Sequence, residues 1–291
     1  MPELPEVTAL VDDLRRRAGG RTVERFGVFA FAALKTVGIG PQELAGRRIE
    51  EVGRHGKFLD LRLGADHLII HLARAGWITW RDEVPKTPVK PGRSPLAARL
   101  VLAGEDGGSS ACLDITEAGT KKNLALYLVA DSAEVPGIAR LGPDPLDQAF
   151  TFEVFAGILA GAGKARIKGV LRNQSLIAGI GNAYSDEILH AARMSPFKPA
   201  AMSHDEAVRL YEALESTLRV AVDRAVGLAA ADLKREKKSS MRVHGRFGEP
   251  CPVCGDTIRQ VIFSDSTLQY CPTCQTGGTV LADRVLSRLL K

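Results

Sequence analysis

The seven residues that begin this chain, MPELPEV (residues 1–7), decide how the rest of it is interpreted. Prolines and glutamates are ordinary at a helix start, and the stretch could equally be a frayed terminus. A chemical interpretation is that removal of Met1 exposes Pro2 as a secondary amine. An α-amino group titrates near ~8, so it could attack a sugar carbon and form an iminium. Glu3 and Glu6 would then supply an acid, a base or a hydrogen-bond anchor.

Outward from this stretch, a helix is predicted over residues 3–18, ended by Gly19 and Gly20. From residue 22 to about 130 the pattern changes to short β-type runs separated by glycine-rich or polar turns. Such a series of strands predicts a β-sandwich or barrel-like domain. The predicted strands cover residues 48–52, 58–63, 68–72, 77–80, 97–102, 111–115 and 124–129, and residues 82–95 are predicted as an exposed loop.

Beyond a linker rich in proline and glycine at residues 135–146, the apolar period becomes helical. Ser203 and Glu206 make a plausible capping box at the start of the last predicted helix. The candidate helices cover residues 151–160, 167–176, 182–192 and 203–226.

Composition limits the class of protein. The chain has 291 residues, which predicts two domains or one large domain with an accessory module. Of these residues 45% are hydrophobic and 25% charged, as expected of a soluble globular protein. No run approaches the roughly 18 apolar residues of a membrane span. No secretory leader is visible, so neither a membrane protein nor an exported protein is expected.

Positive charge is concentrated in two clusters, although the formal net charge is only +5. A charge run is most often a solvated face, but two clusters beside a metal module favour a nucleic-acid backbone as partner. Gly179 and Gly181, just before a predicted helix, are either a tight turn or a phosphate seat, and the first cluster favours the seat. The clusters are Lys164, Arg166, Lys168, Arg172 and Lys234, Arg235, Lys237, Lys238, Arg242, Arg246.

Four of the five cysteines form two C-x-x-C pairs separated by sixteen residues. This spacing is typical of a tetrahedral four-thiolate zinc site with a structural role, because four thiolates leave no coordination position for water. The alternative is a pair of disulfides, which a chain without an export signal does not favour. Cys112 is predicted to be a small buried hydrophobic residue. The metal ligands are Cys251, Cys254, Cys271 and Cys274.

Four motifs occur in an order that resembles one enzyme family. They are PELPEV (2–7), RHGKFL (54–59), GIGNAYSDE (179–187) and the stretch from residue 243 through both cysteine pairs to residue 275. Together they are similar to the bacterial formamidopyrimidine-DNA glycosylase and endonuclease VIII family. The resemblance implies an α+β multidomain fold: an N-terminal β-sandwich, a helix–two-turn–helix domain and a C-terminal zinc ribbon. The implied boundaries are residues 1–130, a linker at 131–150, then 151–241, 242–276 and a tail at 277–291.

The same resemblance assigns roles to individual residues. Pro2 would be the nucleophile on C1′ of the damaged nucleotide, and Glu3 the acid/base that helps to open the sugar. Lys57 would be a charge partner for the phosphate and for elimination. The implied DNA contacts are His71, Arg74, Lys168, Asn182 and Arg246.

The sequence departs from the family where base selection is expected. Arg74 occupies the position of a methionine that fills the gap left by a flipped base, and residues 116–123 carry no aromatic wedge. Ser266 replaces an arginine of the finger, and the lesion-capping loop is shortened to residues 228–240. Arg74 either stacks in the gap, with Lys121 or Asn123 touching the opposite strand, or contacts phosphate. These changes favour abasic, single-stranded or flap substrates.

The leading interpretation is a bifunctional DNA glycosylase and abasic-site lyase of base excision repair. It would hold one structural zinc ion, bind damaged DNA in duplex or single-stranded form, have no membrane partner and be a monomer. We expect it in the bacterial cytoplasm, associated with the nucleoid. One alternative is a catalytically weak or inactive DNA-damage-binding protein on the same scaffold. Another is a zinc-ribbon protein of RNA metabolism, which leaves Pro2, Glu3 and Lys57 unexplained.

Overall fold

The computed structural model describes residues 1–87, 89, 94–104, 108–263 and 266–281, which divide into two compact units. The first unit comprises Met1–Arg140 together with Ala225–Lys234. The second comprises Leu141–Arg224 and the described residues from Arg235 onward. The finer division into five segments stays a prediction. Most of the predicted tail, and parts of the loop at residues 82–95, lie outside the described residues.

The first unit begins with helix α1 (Leu4–Ala18) and continues, in the part of it that the structure describes, as eight strands. They form two four-stranded sheets, in the orders β1-β6-β7-β5 and β2-β3-β4-β8, with every neighbouring pair antiparallel. The predicted β-sandwich is therefore confirmed. The strands are β1 (Val23–Val28), β2 (Ile49–His55), β3 (Phe58–Leu63), β4 (Asp66–His71), β5 (Gly76–Arg81), β6 (Leu96–Leu102), β7 (Ala111–Glu117) and β8 (Ala125–Val129).

Alternation along β3 shows how the sequence builds the core. Leu59, Leu61 and Leu63 point to one face and are fully buried in the main hydrophobic cluster with the apolar stripe of α1. Burial of each leucine stabilises the folded state by about 1.5–3 kcal/mol relative to an exposed side chain. Phe58 packs on the other face in a separate small cluster. This second face also carries Asp60 and His71.

The remaining helices and strands follow the linker. They are α2 (Phe152–Ala162), α3 (Ile167–Arg172), α4 (Asn182–Ala191), α5 (His204–Ala225), α6 (Ala230–Ser240), β9 (Arg259–Ile262), β10 (Thr267–Tyr270) and α7 (Pro272–Thr276). The predicted capping box is confirmed, since Ser203 N–H donates to Glu206 at 3.1 Å and Glu206 N–H to the Ser203 hydroxyl at 3.4 Å. α3 ends four residues earlier than predicted, because the Gln174 side chain donates to the Arg172 carbonyl at 2.8 Å and holds the chain in a turn.

The prediction of a loop at residues 228–240 is wrong, because residues 230–240 are the helix α6. Leu233 is 1% exposed and belongs to the main core of the first unit. The indole N–H of Trp77 donates to the Ala230 carbonyl at 3.1 Å, and the Lys234 ammonium lies 4.4 Å from the Trp77 ring centroid. A buried leucine and these contacts stabilise a helix where the run of charges suggests solvent exposure.

The helices that the structure describes include none with the length and apolar character of a membrane span.

Candidate active site and nucleic-acid interface

Pro2 and Glu3 lie at the start of α1, where a capping interaction fixes the backbone. The N–H of Glu3 donates to Oε2 of Glu6 at 2.8 Å, and its carbonyl accepts from the N–H of Val7 at 3.0 Å. Glu3 and Glu6 are 1% and 2% exposed, and Pro2 is buried. Carboxylates are stabilised at the positive end of a helix. Residue 2 is therefore held by a structured helix start rather than a frayed terminus.

Lys57 lies in the two-residue turn that joins β2 to β3. His55 pairs with Phe58 across the hairpin, and Gly56 has a φ of +52°. Tight hairpin turns require positive φ at a central position, and glycine adopts it without strain. Lys57 is only 8% exposed. The turn thus holds the lysine against the protein instead of leaving it as an ordinary surface side chain.

Asp60 anchors the strands beside this turn. Its Oδ2 lies 2.9 Å from Nε2 of His55, and its Oδ1 lies 2.8 Å from Nδ1 of His67. Burial raises the pKa of Asp60, but hydrogen bonds from His55 and His67 outweigh it, so the net pKa lies below the usual value. Asp60 is therefore ionised at neutral pH and links three strands next to Lys57.

His71, the last residue of β4, lies beside Lys57. Its ring centroid is 4.6 Å from that of Phe58, its cross-strand partner. Burial, together with the charge of Lys57, lowers the pKa of His71 to about 4. His71 is thus an uncharged imidazole at neutral pH and can donate one N–H to a phosphate or sugar oxygen.

Helix α1, which follows Glu3, packs on strands β2 and β3, the two strands that the turn of Lys57 joins.

Arg74 is exposed on a tight turn between β4 and β5. The N–H of Gly76 donates to the Leu72 carbonyl at 2.8 Å, which closes the turn. Ala73 adopts a φ of +49°, a conformation that costs a residue with a side chain about 1 kcal/mol. The surrounding sheet therefore imposes this turn and presents Arg74 outward.

A second loop, residues 118–124, runs alongside this turn. The N–H of Ala118 donates to the Ala75 carbonyl at 3.2 Å. The buried Glu117 carboxylate accepts from the N–H groups of Asn123 and Leu124 at 2.7 and 3.0 Å, which gives the loop its shape. Glu117 carried no sequence signal, because its partners lie in an irregular segment. Lys121 is exposed in this loop.

In the second unit, the glycine-rich segment before α4 is fixed by Gln174. Its side-chain amide donates to the Ile180 carbonyl at 2.7 Å, and its Oε1 accepts from the Gly179 N–H at 3.0 Å. Gly179 has a φ of +86°. α4 begins at Asn182 with Gly181 as its N-cap. The segment is a structured helix start of the kind that binds anions. The local sequence pattern does not predict the role of Gln174.

Lys168 lies buried beneath this helix start. Its ammonium donates to the Asn182 carbonyl at 3.1 Å, the Ser185 hydroxyl at 2.8 Å and Oδ1 of Asp186 at 2.6 Å. These contacts use the three donors of an ammonium group. The direct phosphate contact expected of Lys168 stays a prediction, and the observed geometry makes the residue a brace for α4.

Asn182 connects the start of α4 to the ribbon. Its Nδ2 donates to the Thr267 carbonyl at 2.6 Å. Its Oδ1 is buried and, among the residues that the structure describes, has no hydrogen-bond partner. Arg246, the other predicted contact, lies elsewhere on the ribbon, where it pairs with Glu249 at 2.9 Å and donates to the Met241 carbonyl at 3.2 Å. DNA contact by both residues stays a prediction.

The four predicted zinc ligands converge. Their Sγ atoms all lie within 4.8 Å of one another. The Cys251–Cys274 and Cys254–Cys271 pairs are 3.9 and 3.4 Å apart, close to the roughly 3.8 Å edges of a tetrahedron with Zn–S bonds of 2.3 Å. The structure describes all five cysteines, and none forms a disulfide. The donor set fits one structural zinc ion.

Three family models cover most of the chain. Residues 1–120 match the formamidopyrimidine-DNA glycosylase N-terminal domain, residues 141–231 its H2TH domain, and residues 248–277 a zinc finger found in that enzyme and in IleRS. The last match confirms the structural zinc site.

Individual relatives agree with these models. An uncharacterized formamidopyrimidine-DNA glycosylase-like protein of Mycobacterium tuberculosis is 57% identical over 55% of this chain and 99% of its own length. The crystal structure of MutM (Fpg) from Thermus thermophilus is 34% identical, with a TM-score of 0.77 over 96% of this chain and 100% of that one. A MutM complex with DNA containing carbocyclic 8-oxo-G is 25% identical, with a TM-score of 0.80 over 94% and 100%. The predicted family is confirmed: the chain belongs to the formamidopyrimidine-DNA glycosylase family.

Proposed function

We propose that this chain is a bifunctional DNA glycosylase and abasic-site lyase of base excision repair. The observation that carries the proposal is the fixed start of α1, where Pro2 precedes the buried carboxylates of Glu3 and Glu6. An amine held by a structured helix presents the same geometry to each substrate, which favours covalent catalysis. The likeness to a MutM complex with lesion-containing DNA supports damaged DNA as the partner.

In the proposed reaction, removal of Met1 leaves the Pro2 nitrogen as the nucleophile. Its lone pair forms a bond to C1′ while the bond from C1′ to the base breaks, and the base leaves with that electron pair and takes up a proton. Glu3 then protonates O4′ as the sugar ring opens to an iminium. The iminium acidifies the C2′–H, and loss of that proton expels the 3′ phosphate by β-elimination. Lys57 and the neutral His71 would contact the phosphates beside this carbon.

The second unit is proposed to hold the DNA backbone. A base inside a duplex must be extruded at a cost of about a few kcal/mol, so the flanking phosphates need fixed partners. The start of α4 at Asn182 would seat one phosphate. Lys168 would support that seat with its buried charge, and Arg246 would contribute from the ribbon.

We propose that Arg74 and Lys121 help to determine which DNA substrates the protein prefers. Residues 116–123 include no aromatic side chain that could wedge into a base stack. Abasic sites and single-stranded or flap DNA would therefore be handled better than an oxidised guanine in a duplex. The protein is proposed to act as a monomer in the bacterial cytoplasm, on nucleoid DNA.

Borohydride trapping on an oligonucleotide with one abasic site tests the proposal. Reduction of the iminium should join wild-type protein covalently to the DNA, and Pro2→Gly should trap far less. Pro5→Ala, which changes the other proline of the same stretch, should trap like wild type. Intact-protein mass spectrometry should show that Met1 is absent from the active preparation. If wild type gives no adduct but binds abasic DNA, the protein is a damage binder; equal trapping by Pro2→Gly would also refute the proposed chemistry.

A further inference from the structure

One face of α4 is joined to the zinc ribbon by side chains at regular helical spacing. Asp186 Oδ2 accepts from Nδ1 of His244 at 2.7 Å and from the N–H of Gln269 at 3.2 Å. The Glu187 carboxylate accepts three backbone N–H groups, those of Arg242, Val243 and His244, at 2.8 to 3.0 Å. Positions 182, 186 and 190 lie on one face, so the next residue of this series is His190.

His190 extends the series to the metal site itself. Its Nε2 lies 3.3 Å from Sγ of Cys251, and the side chains of both residues are buried, at 3% exposure. A zinc-bound thiolate is an acceptor only, so the imidazole nitrogen that faces it must carry the proton. The other nitrogen, Nδ1, is buried without a hydrogen-bond partner among the residues that the structure describes.

This arrangement is costly unless the contact to sulfur offsets it. A buried polar atom without a partner loses its hydrogen bonds to water and gains none in return, and an apolar side chain at position 190 would avoid that cost. Four thiolates around one Zn²⁺ also leave a net negative charge, and Cys251 is one of the two ligands that are buried. An N–H aimed at one of the sulfurs spreads that charge and fixes the direction of its lone pairs.

We propose that His190 is a positioning residue of the zinc centre, whose Nε2–H donates to the Cys251 thiolate and ties metal retention to α4. Hydrogen bonds around metal ligands commonly change metal affinity or activity 10–100-fold when they are removed. The inference needs neither the lyase chemistry nor DNA, because it concerns only the ribbon and the helix beneath it.

Zinc transfer to a chromogenic chelator measures the effect directly in the full-length holoprotein. His190→Phe keeps a ring but has no donor, and it should lose zinc about 10-fold faster than wild type. His190→Gln places an amide N–H near the position of Nε2 and should restore most of the retention. His204→Phe, a change at an exposed histidine, is the matched control and should behave like wild type. Wild-type retention in His190→Phe, or equal loss from His190→Gln and His190→Phe, would refute the proposal.

Wild-type protein supplies a test that does not depend on how a variant folds. In protein loaded with ¹¹³Cd, the proton on Nε2 of His190 should show scalar coupling to the metal through the N–H···S bond. The long-range ¹H–¹⁵N spectrum should identify the Nε2–H tautomer. A Nδ1–H tautomer, or an Nε2 proton without coupling to cadmium, would overturn the assignment.

Discussion

At the scale of single residues, Asp60 shows how the sandwich prepares a position for chemistry. Burial raises the pKa of its carboxyl, whereas hydrogen bonds from His55 and His67 lower it, and the second effect prevails. Hydrogen bonds to a charged group are worth about 1.5–3 kcal/mol each. His55 is the last residue of β2, directly before the turn that holds Lys57, and Asp60 lies on β3 after that turn. The hydrogen bond between His55 and the ionised Asp60 therefore joins the two strands on either side of the turn and stabilises it.

We expect Asp60→Asn to lower the free energy of unfolding by about 1–3 kcal/mol at neutral pH. The folded pKa of Asp60 is depressed, so its stabilisation is present above the unfolded pKa and is lost as pH falls through the folded pKa. The difference between wild type and variant should therefore begin to shrink as the pH falls below about 4 and should vanish only below the folded pKa. Urea unfolding across pH measures both effects. Asp12→Asn, which breaks a partly exposed ion pair with Arg16, should cost less than about 1 kcal/mol. A deficit in Asp60→Asn that does not shrink at all as the pH is lowered would contradict this account.

At the scale of elements, the turn after β4 and the loop after β7 form one surface. The positive φ of Ala73 and the bond from Ala118 to Ala75 are imposed by the pairing of β5 with β7, which brings Gly76 opposite Glu117. Arg74 therefore has a fixed base from which its guanidinium can stack or pair.

If Arg74 fills the gap in a duplex, Arg74→Ala should slow cleavage of a duplex abasic site by about 5-fold or more, since stacking is worth about 1–3 kcal/mol. Cleavage of a single-stranded abasic site should change little. Single-turnover assays on both substrates measure the contrast, with Arg62→Ala as a control at a half-buried arginine of β3 that pairs with Glu50. Equal losses on both substrates would show that Arg74 contacts only the backbone. In that case the slope of log K against log salt concentration should also fall by about 1, the contribution of one phosphate contact.

The elements also show what local pattern can and cannot predict. β3 was predicted to the residue, because its alternation of leucine with polar residues directly reports a half-buried strand. The sequence does not predict α6, because the family resemblance implies a loop there. The stability of this helix depends on Leu233 and on Trp77, which lies more than 150 positions away in the sequence.

At the scale of the whole molecule, the two units carry different parts of the proposed function. The first contains Pro2, Glu3 and Lys57, and the second contains Asn182 and the zinc ribbon. A four-thiolate site has no open coordination position for catalysis. Loss of zinc should therefore weaken DNA binding more than it slows the reaction at the sugar.

Removal of zinc, by chelation or by Cys251→Ser, should weaken binding to abasic-site DNA by about 10-fold or more through loss of backbone contacts. The single-turnover rate at saturating DNA should fall much less. Fluorescence anisotropy and rapid-quench assays separate the two quantities. Cys112→Ala, which removes a buried cysteine from β7, should leave DNA affinity unchanged. Unchanged binding by a metal-free protein with an unfolded ribbon would contradict the role assigned to the ribbon.

The sequence by itself determined the family, the sandwich, the helices α1 to α5 and the four zinc ligands, because each follows from motifs or spacing along a short stretch of chain. Only the tertiary structure decided what the polar groups between these motifs do. It buried Lys168 under α4, set His71 beside Lys57 and placed His190 against Cys251. These contacts join residues 14 to 61 positions apart, and local periodicity carries no information on which distant side chain will share a buried hydrogen bond.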